Sequence, residues 1–266
     1  MSNRLHAETI GSGPVWVLLH GLFGDGSNWR GFAMRLSDRF QFVLPDLCNH
    51  GDSPRDARAT LQSMALDVRE LLSRLGLRAA GVLGHSMGGK IAMQLAADHP
   101  EVMERFIAVD IAPRHYRRDF GPLIRAMRRL DLSAGRRRAD LERDLAHGIT
   151  SPAVCRFLLK SAVQGEDGAW RWKFGLDEID ATYDAVRGAP AMAGECRVPA
   201  MFICGHSSNF VRPEDLDLIR RLFPAATIVG IEGAGHWVHS DAPEAFMAAA
   251  VPFMAQVPGA PRARAV

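Results

Sequence analysis

Residues 80–97 read AGVLGHSMGGKIAMQLAA. The stretch opens with a short, β-prone apolar run, Ala80-Gly81-Val82-Leu83. From Met87 to Ala97 apolar residues recur at helical spacing, and Pro100 closes the segment. Between the two stands Gly84-His85-Ser86-Met87-Gly88, a GxSxG sequence with a strand before it and a helix after it. The glycines have a steric reason: a nucleophile carried on so sharp a turn needs small residues two places before and two places after it. Such a turn exposes the Ser86 hydroxyl at the edge of a sheet, beside the positive end of a helix dipole. Ser86 is therefore the candidate nucleophile.

The same alternation extends outward. Toward the N-terminus, the apolar runs Val15–Leu19 and 42–44 are separated by a helical pattern over 27–36. A second helical pattern, 60–75, ends at Gly76. Toward the C-terminus, 106–109 is the next strand. This βαβα rhythm predicts a mostly parallel twisted sheet with helices on both faces. It breaks at Pro113, and helical segments dominate to about Arg197. It resumes with a strand at 200–203, a helix over 213–223, a strand over 227–231 and a closing helix near 243–254. The expected organisation is an α/β core of residues 1–112 and 198–257, an inserted helical cap of residues 113–197, and a disordered tail, 258–266. A cap above the carboxyl edge of such a sheet covers the crevice in which open α/β sheets bind ligands.

Composition narrows the class. The chain has 266 residues, 47% hydrophobic and 23% charged, which excludes a disordered chain, a collagen-like repeat and a coiled coil. Thirty-two Lys and Arg against 30 Asp and Glu leave a net charge of +2, which speaks against a nucleic-acid binder. The four cysteines form no CxxC pair and no zinc-like spacing; they read as reduced thiols of a cytoplasmic protein. The opening residues lack the apolar core of a signal peptide, and Val15–Leu19 is strand-sized, so no integral membrane association is expected.

A serine hydroxyl needs a base to take its proton. His236, in Gly233-Ala234-Gly235-His236-Trp237 just after the last strand, sits on a glycine-rich loop able to aim its ring. His239 is the nearest competitor. His85 adjoins Ser86, but neighbours on so sharp a turn point apart, and His50 is read as ordering its own loop. The base in turn needs a carboxylate to fix its tautomer. After the strand that ends at Cys204 the residues are Gly205-His206-Ser207-Ser208-Asn209, with no acid among them. Glu214, Asp215 and Asp217 fall in the first turns of a helix, where their ordinary role is to stabilise its dipole. Asp110 ends the strand that follows the nucleophile helix, on a neighbouring strand about 4.8 Å away; it is the candidate acid. For the oxyanion, His20-Gly21-Leu22-Phe23-Gly24 closes an earlier strand. The N–H of Leu22 or Phe23, with that of Met87, is the expected donor pair. Phe23, Trp237 and Val238 are candidate pocket residues, although aromatic and aliphatic side chains at such positions are also ordinary core. Between Arg114 and Asp144 stand ten arginines against five acids, which read either as an anion-binding patch or as a solvated helix face.

Taken together, HGLFGDGSNW, DLCNHGDSP, GHSMGGKIAM, IAVDIAP and GAGHWVHSDAP resemble the α/β-hydrolase superfamily, in the branch that holds the bacterial esterase YbfF and mitochondrial abhydrolase-domain proteins. The resemblance covers nearly the whole chain and is weakest in the cap. It implies an α/β-hydrolase fold, a serine esterase or thioesterase acting on a small-molecule acyl ester or thioester, no cofactor and no metal. It also implies that the acid is the aspartate of IAVDIAP, Asp110. Cys48 departs from the basic residue more often found before Asn-His-Gly. The expected assembly is a monomer or homodimer. A dehalogenase or epoxide hydrolase on this scaffold would need a carboxylate at position 86. A cofactor-free perhydrolase or C–C hydrolase would keep the same triad, and a non-enzymatic binding protein would ordinarily have lost part of it.

Overall fold

A computed structural model describes residues 4–117 and 120–256. The expected tail at 258–266, and Arg118 and Asp119 of the arginine-rich stretch, lie outside the described residues. Seven strands form one sheet: β1 (Ala7–Gly11), β2 (Val15–Leu19), β3 (Gln41–Pro45), β4 (Ala80–His85), β5 (Met103–Val109), β8 (Ala200–Gly205) and β9 (Thr227–Ile231). Their spatial order is β1-β3-β2-β4-β5-β8-β9. Only β1 pairs antiparallel, with β3. The other neighbours are parallel. The inner strands β2, β4, β5 and β8 are largely apolar, buried runs because both of their faces are covered, whereas the edge strand β9 is partly exposed. The edge strand β1 escaped the sequence reading because AETIG has neither such a run nor clean alternation.

Each face has its own core. One buries α2 (Leu61–Arg74) and α3 (Met87–Asp98), with Met64, Val68, Leu72, Ile91 and Leu95 packed on Val82 and Phe106. The other buries α1 (Arg30–Arg35) and α10 (Pro243–Met254), with Trp29, Ala33, Phe246 and Phe253 packed on Leu18, Leu83 and Ile203. Local chemistry sets the helix ends. Thr60 and Ser63 close a capping box on α2, and Gly76, at φ +71°, follows its last turn. Pro243 takes the first turn of α10 as expected, whereas α8 begins at Asp215 (Asp215–Leu222), two residues past Pro213.

Between β5 and β8, which are neighbours in the sheet, the chain makes α4 (Gly121–Arg129), α5 (Arg138–Ala146), α6 (Pro152–Lys160), a short hairpin of β6 (Ala162–Gln164) and β7 (Trp170–Trp172), and α7 (Leu176–Arg187). The hairpin adds to the expected helical insert: Ala162-Val163-Gln164 and Trp170-Arg171-Trp172 are β-prone but only three residues each, too short to read. The insert has its own apolar cluster, built on Ile124, Leu141, Leu158 and Ile179. It is tied to the sheet by polar contacts. Lys173 Nζ meets Asp25 Oδ2 at 3.0 Å, Ser161 Oγ donates to Phe23 O at 2.9 Å, and the buried Lys90 Nζ donates to Arg187 O at 2.8 Å and Gly188 O at 2.6 Å, at the end of α7.

Five of the ten arginines in the stretch form ion pairs among the described residues. Arg114 meets Asp215, Arg128 meets Asp177 and Asp180, Arg136 meets Asp131 and Asp144, and Arg137 and Arg143 both meet Asp140. Three of these acids, Asp177, Asp180 and Asp215, come from outside the stretch and offset part of its excess charge, which favours the solvated-face reading.

Candidate active site

The strand order reverses between β2 and β4: the chain runs from β2 outward to β3, then returns to the other side of β2. The loops leaving the carboxyl ends of β2 and β4 therefore diverge and leave a crevice, the usual ligand site of an open α/β sheet. Leu22 follows β2 and Ser86 follows β4. Register aligns Leu19 with Gly84 and His85 with Val109, so the ends of β2, β4 and β5 lie side by side.

Four non-glycine residues have positive φ among the described residues: Phe23 at 65°, Asn49 at 71°, Ser86 at 53° and Asp110 at 50°. All four follow carboxyl ends of strands. Conformations of this kind cost of order 1–3 kcal/mol each and persist where the surroundings enforce them. At Ser86 the enforcement is visible. A Cβ on Gly84 would stand 2.2 Å from Gly88 O, and one on Gly88 would stand 2.5 Å from Leu19 O. Both glycines are required by backbone, as the motif predicts. Ser86 N–H donates to Val109 O at 3.0 Å, which pins the turn against β5.

Asp110 is fully buried. Its Oδ2 accepts from His236 Nδ1 at 2.7 Å and from Ser208 Oγ at 2.5 Å, and its Oδ1 accepts from Gly205 N–H at 3.1 Å. Asp110 N–H in turn donates to Ile203 O at 2.8 Å, so the carboxylate hangs between β5 and β8. The alternative acids are engaged elsewhere: Asp215 holds Arg114 at 2.8 Å, and Glu214 and Asp217 lie near Arg212 and Arg220. The structure thus brings Asp110 and His236 into contact. Ser86, Leu22 and Met87 share the wall of a small cavity of about 50 Å³, closed by Ile111, Tyr116, Phe120 and Phe210.

Several residues missed in the sequence position these groups. Phe210 lies face to face with His236, its ring centroid 3.5 Å away and the planes 10° apart. His85 Nε2 donates to His236 O at 2.9 Å, holding the loop that carries the ring. Ser208 shares the Asp110 oxygen. None carries a local sequence signal, because each acts across more than 20 residues of chain. Two other histidines brace the loop after β2. His50 Nε2 accepts from Phe23 N–H at 3.1 Å, and its Nδ1 pairs with Cys48 O at 2.9 Å. His20 Nε2 accepts from Leu47 N–H at 3.0 Å, and its Nδ1 pairs with Gly21 O at 2.8 Å. Each ring accepts with Nε2 and so carries its proton on Nδ1. Burial holds His20 below the usual histidine range, and His50 and His85 well below it. Because Phe23 N–H is committed to His50, the expected alternative of Leu22 or Phe23 narrows to Leu22.

The pocket residues are placed differently. Phe23 is packed into the insert core against Phe174, with ring centroids 5.3 Å apart. Val238 is fully buried in the core on the α1 and α10 face. Neither lines the Ser86 cavity, because apolar side chains in loops above the sheet are drawn into the two nearest cores. Trp237 borders a separate, larger cleft. His6, Asp46 and Asp52 bring potential metal-ligating atoms within 4.8 Å of one another, but Asp46 already accepts from Gly26 N–H, Asp52 N–H and His6 Nδ1. Those contacts order the loop after β3. No helix among the described residues is long and apolar enough to cross a membrane.

Comparison with known proteins agrees with this architecture. A family profile described as the α/β hydrolase fold matches residues 14–147. The chain is 36% identical over 256 residues to the sn-1-specific diacylglycerol lipase ABHD11 of Mus musculus, covering 91% of this chain and 81% of that protein. It is 33% identical over 254 residues to esterase YbfF of Escherichia coli, covering 94% and 97%. A solved structure of a marine microorganism esterase superposes with a TM-score of 0.91 at 36% identity, covering 95% of this chain and all of that one. The sheet order, the strained serine turn and these relatives lead to one assignment: the chain belongs to the α/β-hydrolase family.

Proposed function

We propose that the protein is a carboxylic ester hydrolase in which Ser86 is the nucleophile, His236 the base and Asp110 the acid. The observation that carries the reading is the buried carboxylate of Asp110, 2.7 Å from His236 Nδ1, beside the strand whose end bears the strained serine. A fully buried carboxylate is costly unless it has work to do with its donors. Here one of its three donors is an imidazole on a loop from the far side of the sheet. The relatives, named as esterases and a diacylglycerol lipase, support ester hydrolysis over the perhydrolase and C–C hydrolase readings.

In this mechanism His236 Nε2 takes the Ser86 proton as Oγ attacks the ester carbonyl. The Leu22 and Met87 N–H groups receive the oxyanion, each donor lowering the barrier by roughly 3–4 kcal/mol. The tetrahedral intermediate collapses, the C–O bond to the alcohol breaks, and His236 returns the proton to the departing alkoxide. A water molecule then gives its proton to His236 and attacks the acyl-enzyme, releasing the acid and restoring Ser86. Asp110 keeps the Nδ1 proton in place throughout. The insert between β5 and β8 acts as a cap: Phe120 and Val186 close the Ser86 cavity from above. The four cysteines are free and buried, which fits a cytoplasmic setting.

A fluorophosphonate probe followed by peptide mapping tests the reading. Covalent label on Ser86, lost in Ser86→Ala together with turnover of p-nitrophenyl butyrate, is the expected result. Turnover that survives in Ser86→Ala would overturn it. A panel of p-nitrophenyl esters and acyl thioesters then ranks the leaving groups.

A further inference from the structure

A cleft of about 670 Å³ lies back to back with the Ser86 cavity. The two share no lining residue, but chain neighbours divide between them. Gly21 and His85 face the cleft, while Leu22 and Ser86 face the cavity. One wall of the cleft is α6, which presents Ala153, Arg156, Phe157 and Lys160 at helical spacing while Cys155, Leu158 and Leu159 face the insert core. The opposite wall comes from α1, α9 (Val238–Asp241) and α10.

Two features of this cleft point to a ligand. Its volume lies within the range of small-molecule sites, roughly 300–1,000 Å³, and much of its lining is aromatic. Its charge is unbalanced: Arg35 is paired with Glu244 at 2.8 Å, whereas Arg156 and Lys160, one turn apart, have no ion pair among the described residues. The one acid that lines it, Asp241, accepts from Gly235 N–H. A wall with two free cations at the rim and an aromatic lining is built for an amphipathic anion.

We propose that this cleft is a second binding site, for a free monoacyl amphiphile with an oxyanion head, the head on Arg156 and Lys160 and the acyl chain along Phe157, Phe32 and Trp237. The proposal does not depend on the chemistry of Ser86.

The test is isothermal titration of the full chain with laurate and with dodecyl phosphate, each below its micellar concentration, and with dodecanol as the uncharged control. Both anions bind the wild type and the Ser86→Ala variant equally. The double variant Arg156→Gln, Lys160→Gln, both exposed positions, weakens both anions by about tenfold or more while dodecanol stays as weak as before. Ala153→Trp, which fills the cleft from α6, removes binding of all three, and circular dichroism verifies that both variants are folded. Laurate binding that survives the double variant, matches dodecanol, or is abolished by fluorophosphonate label on Ser86 overturns the proposal, the last by moving the ligand to the acyl cavity.

Discussion

Asp110→Asn separates the role of the acid from its role in folding. In the wild type one oxygen accepts from Gly205 N–H, and the other accepts from both His236 Nδ1 and Ser208 Oγ. An amide has one oxygen and one NH₂, so two orientations compete. With its oxygen toward His236, the NH₂ faces the Gly205 N–H, donor against donor in a fully buried place, at a cost of about 1–3 kcal/mol. With its oxygen toward Gly205, that bond is kept, the NH₂ faces His236 and Ser208, and both adapt. The Ser208 hydroxyl rotates to accept, and the imidazole moves its proton to Nε2 so that Nδ1 accepts. Of these groups only the Ser208 O–H proton then loses its acceptor, and His236 has the tautomer that cannot act as a base. The low-energy orientation is therefore the inactive one. Stability should change by less than about 1–2 kcal/mol, the net worth of one altered buried hydrogen bond. By contrast, kcat for p-nitrophenyl butyrate should fall ~10⁴-fold, about 5.4 kcal/mol on the barrier, as in other Ser–His–Asp enzymes. Urea midpoints and steady-state rates on the same preparation read the two quantities. A kcat within about tenfold of wild type, or a stability loss large enough to explain inactivity, refutes the reasoning.

Three further outcomes follow from named contacts. Ser208→Ala removes one donor from Asp110 but leaves His236 and Gly205 in place. It should cost about 1–3 kcal/mol in urea unfolding while kcat stays within about tenfold, the reverse of the split for Asp110→Asn. Gly84→Ala places a Cβ 2.2 Å from the backbone oxygen of Gly88, where nothing flexible can yield; we expect destabilisation beyond about 3 kcal/mol or no soluble protein, while Gly194→Ala, with open space around it, is silent. Four histidines, the buried His20, His50 and His85 and the partly buried His239, have folded-state pKa values pushed below 6.5, by burial first of all. The unfolded chain then binds more protons than the folded one below pH 6.5. Stability is complete above that value and falls as pH drops through it, by up to about 1.4 kcal/mol per pH unit for each ring that stays neutral. Urea midpoints between pH 7.5 and 5 that rise toward acid would contradict this sign.

How much of this was legible in the sequence depends on how local each signal is. The parallel strands β2, β4, β5 and β8 were readable because burial on both faces forces continuous apolar runs. The serine turn was readable because its steric demand falls on residues two places away. The insert was readable only as an interruption; its three-residue hairpin is too brief for any periodicity. Leu22 and Met87, the proposed oxyanion donors, were readable as neighbours of Ser86 because one loop follows a strand and a helix follows the serine, and both line its cavity. Phe210, His85 and Ser208 were not found, since their partners lie 26, 151 and 98 residues away and nothing nearby marks them. The pocket residues failed for a general reason: an aromatic or aliphatic side chain in a loop declares its hydrophobicity but not which of several cores will take it. Phe23 went to the insert core and Val238 to the core beneath the sheet.

The position of the acid shows how the sheet turns such local facts into a site. His236 arrives after β9, two strands from β5, so a carboxylate at the end of β8 would be the shorter reach. Here the end of β8 supplies donors instead, Gly205 N–H and Ser208 Oγ, and the carboxylate comes from β5. The left-handed backbone at Asp110 makes this possible: at φ +50° the chain turns off β5 and directs the side chain sideways across the end of β8, where Asp110 N–H is already bonded to Ile203 O. Donor and acceptor have in effect exchanged strands, while the oxygen that meets His236 Nδ1 remains between them. On the proposed assignment of Asp110 as the acid, the absence of a carboxylate after Cys204 leaves no gap. That stretch needs small residues and a hydroxyl, because a carboxylate at position 208 would stand against Asp110 in a buried space with donors for only one negative charge.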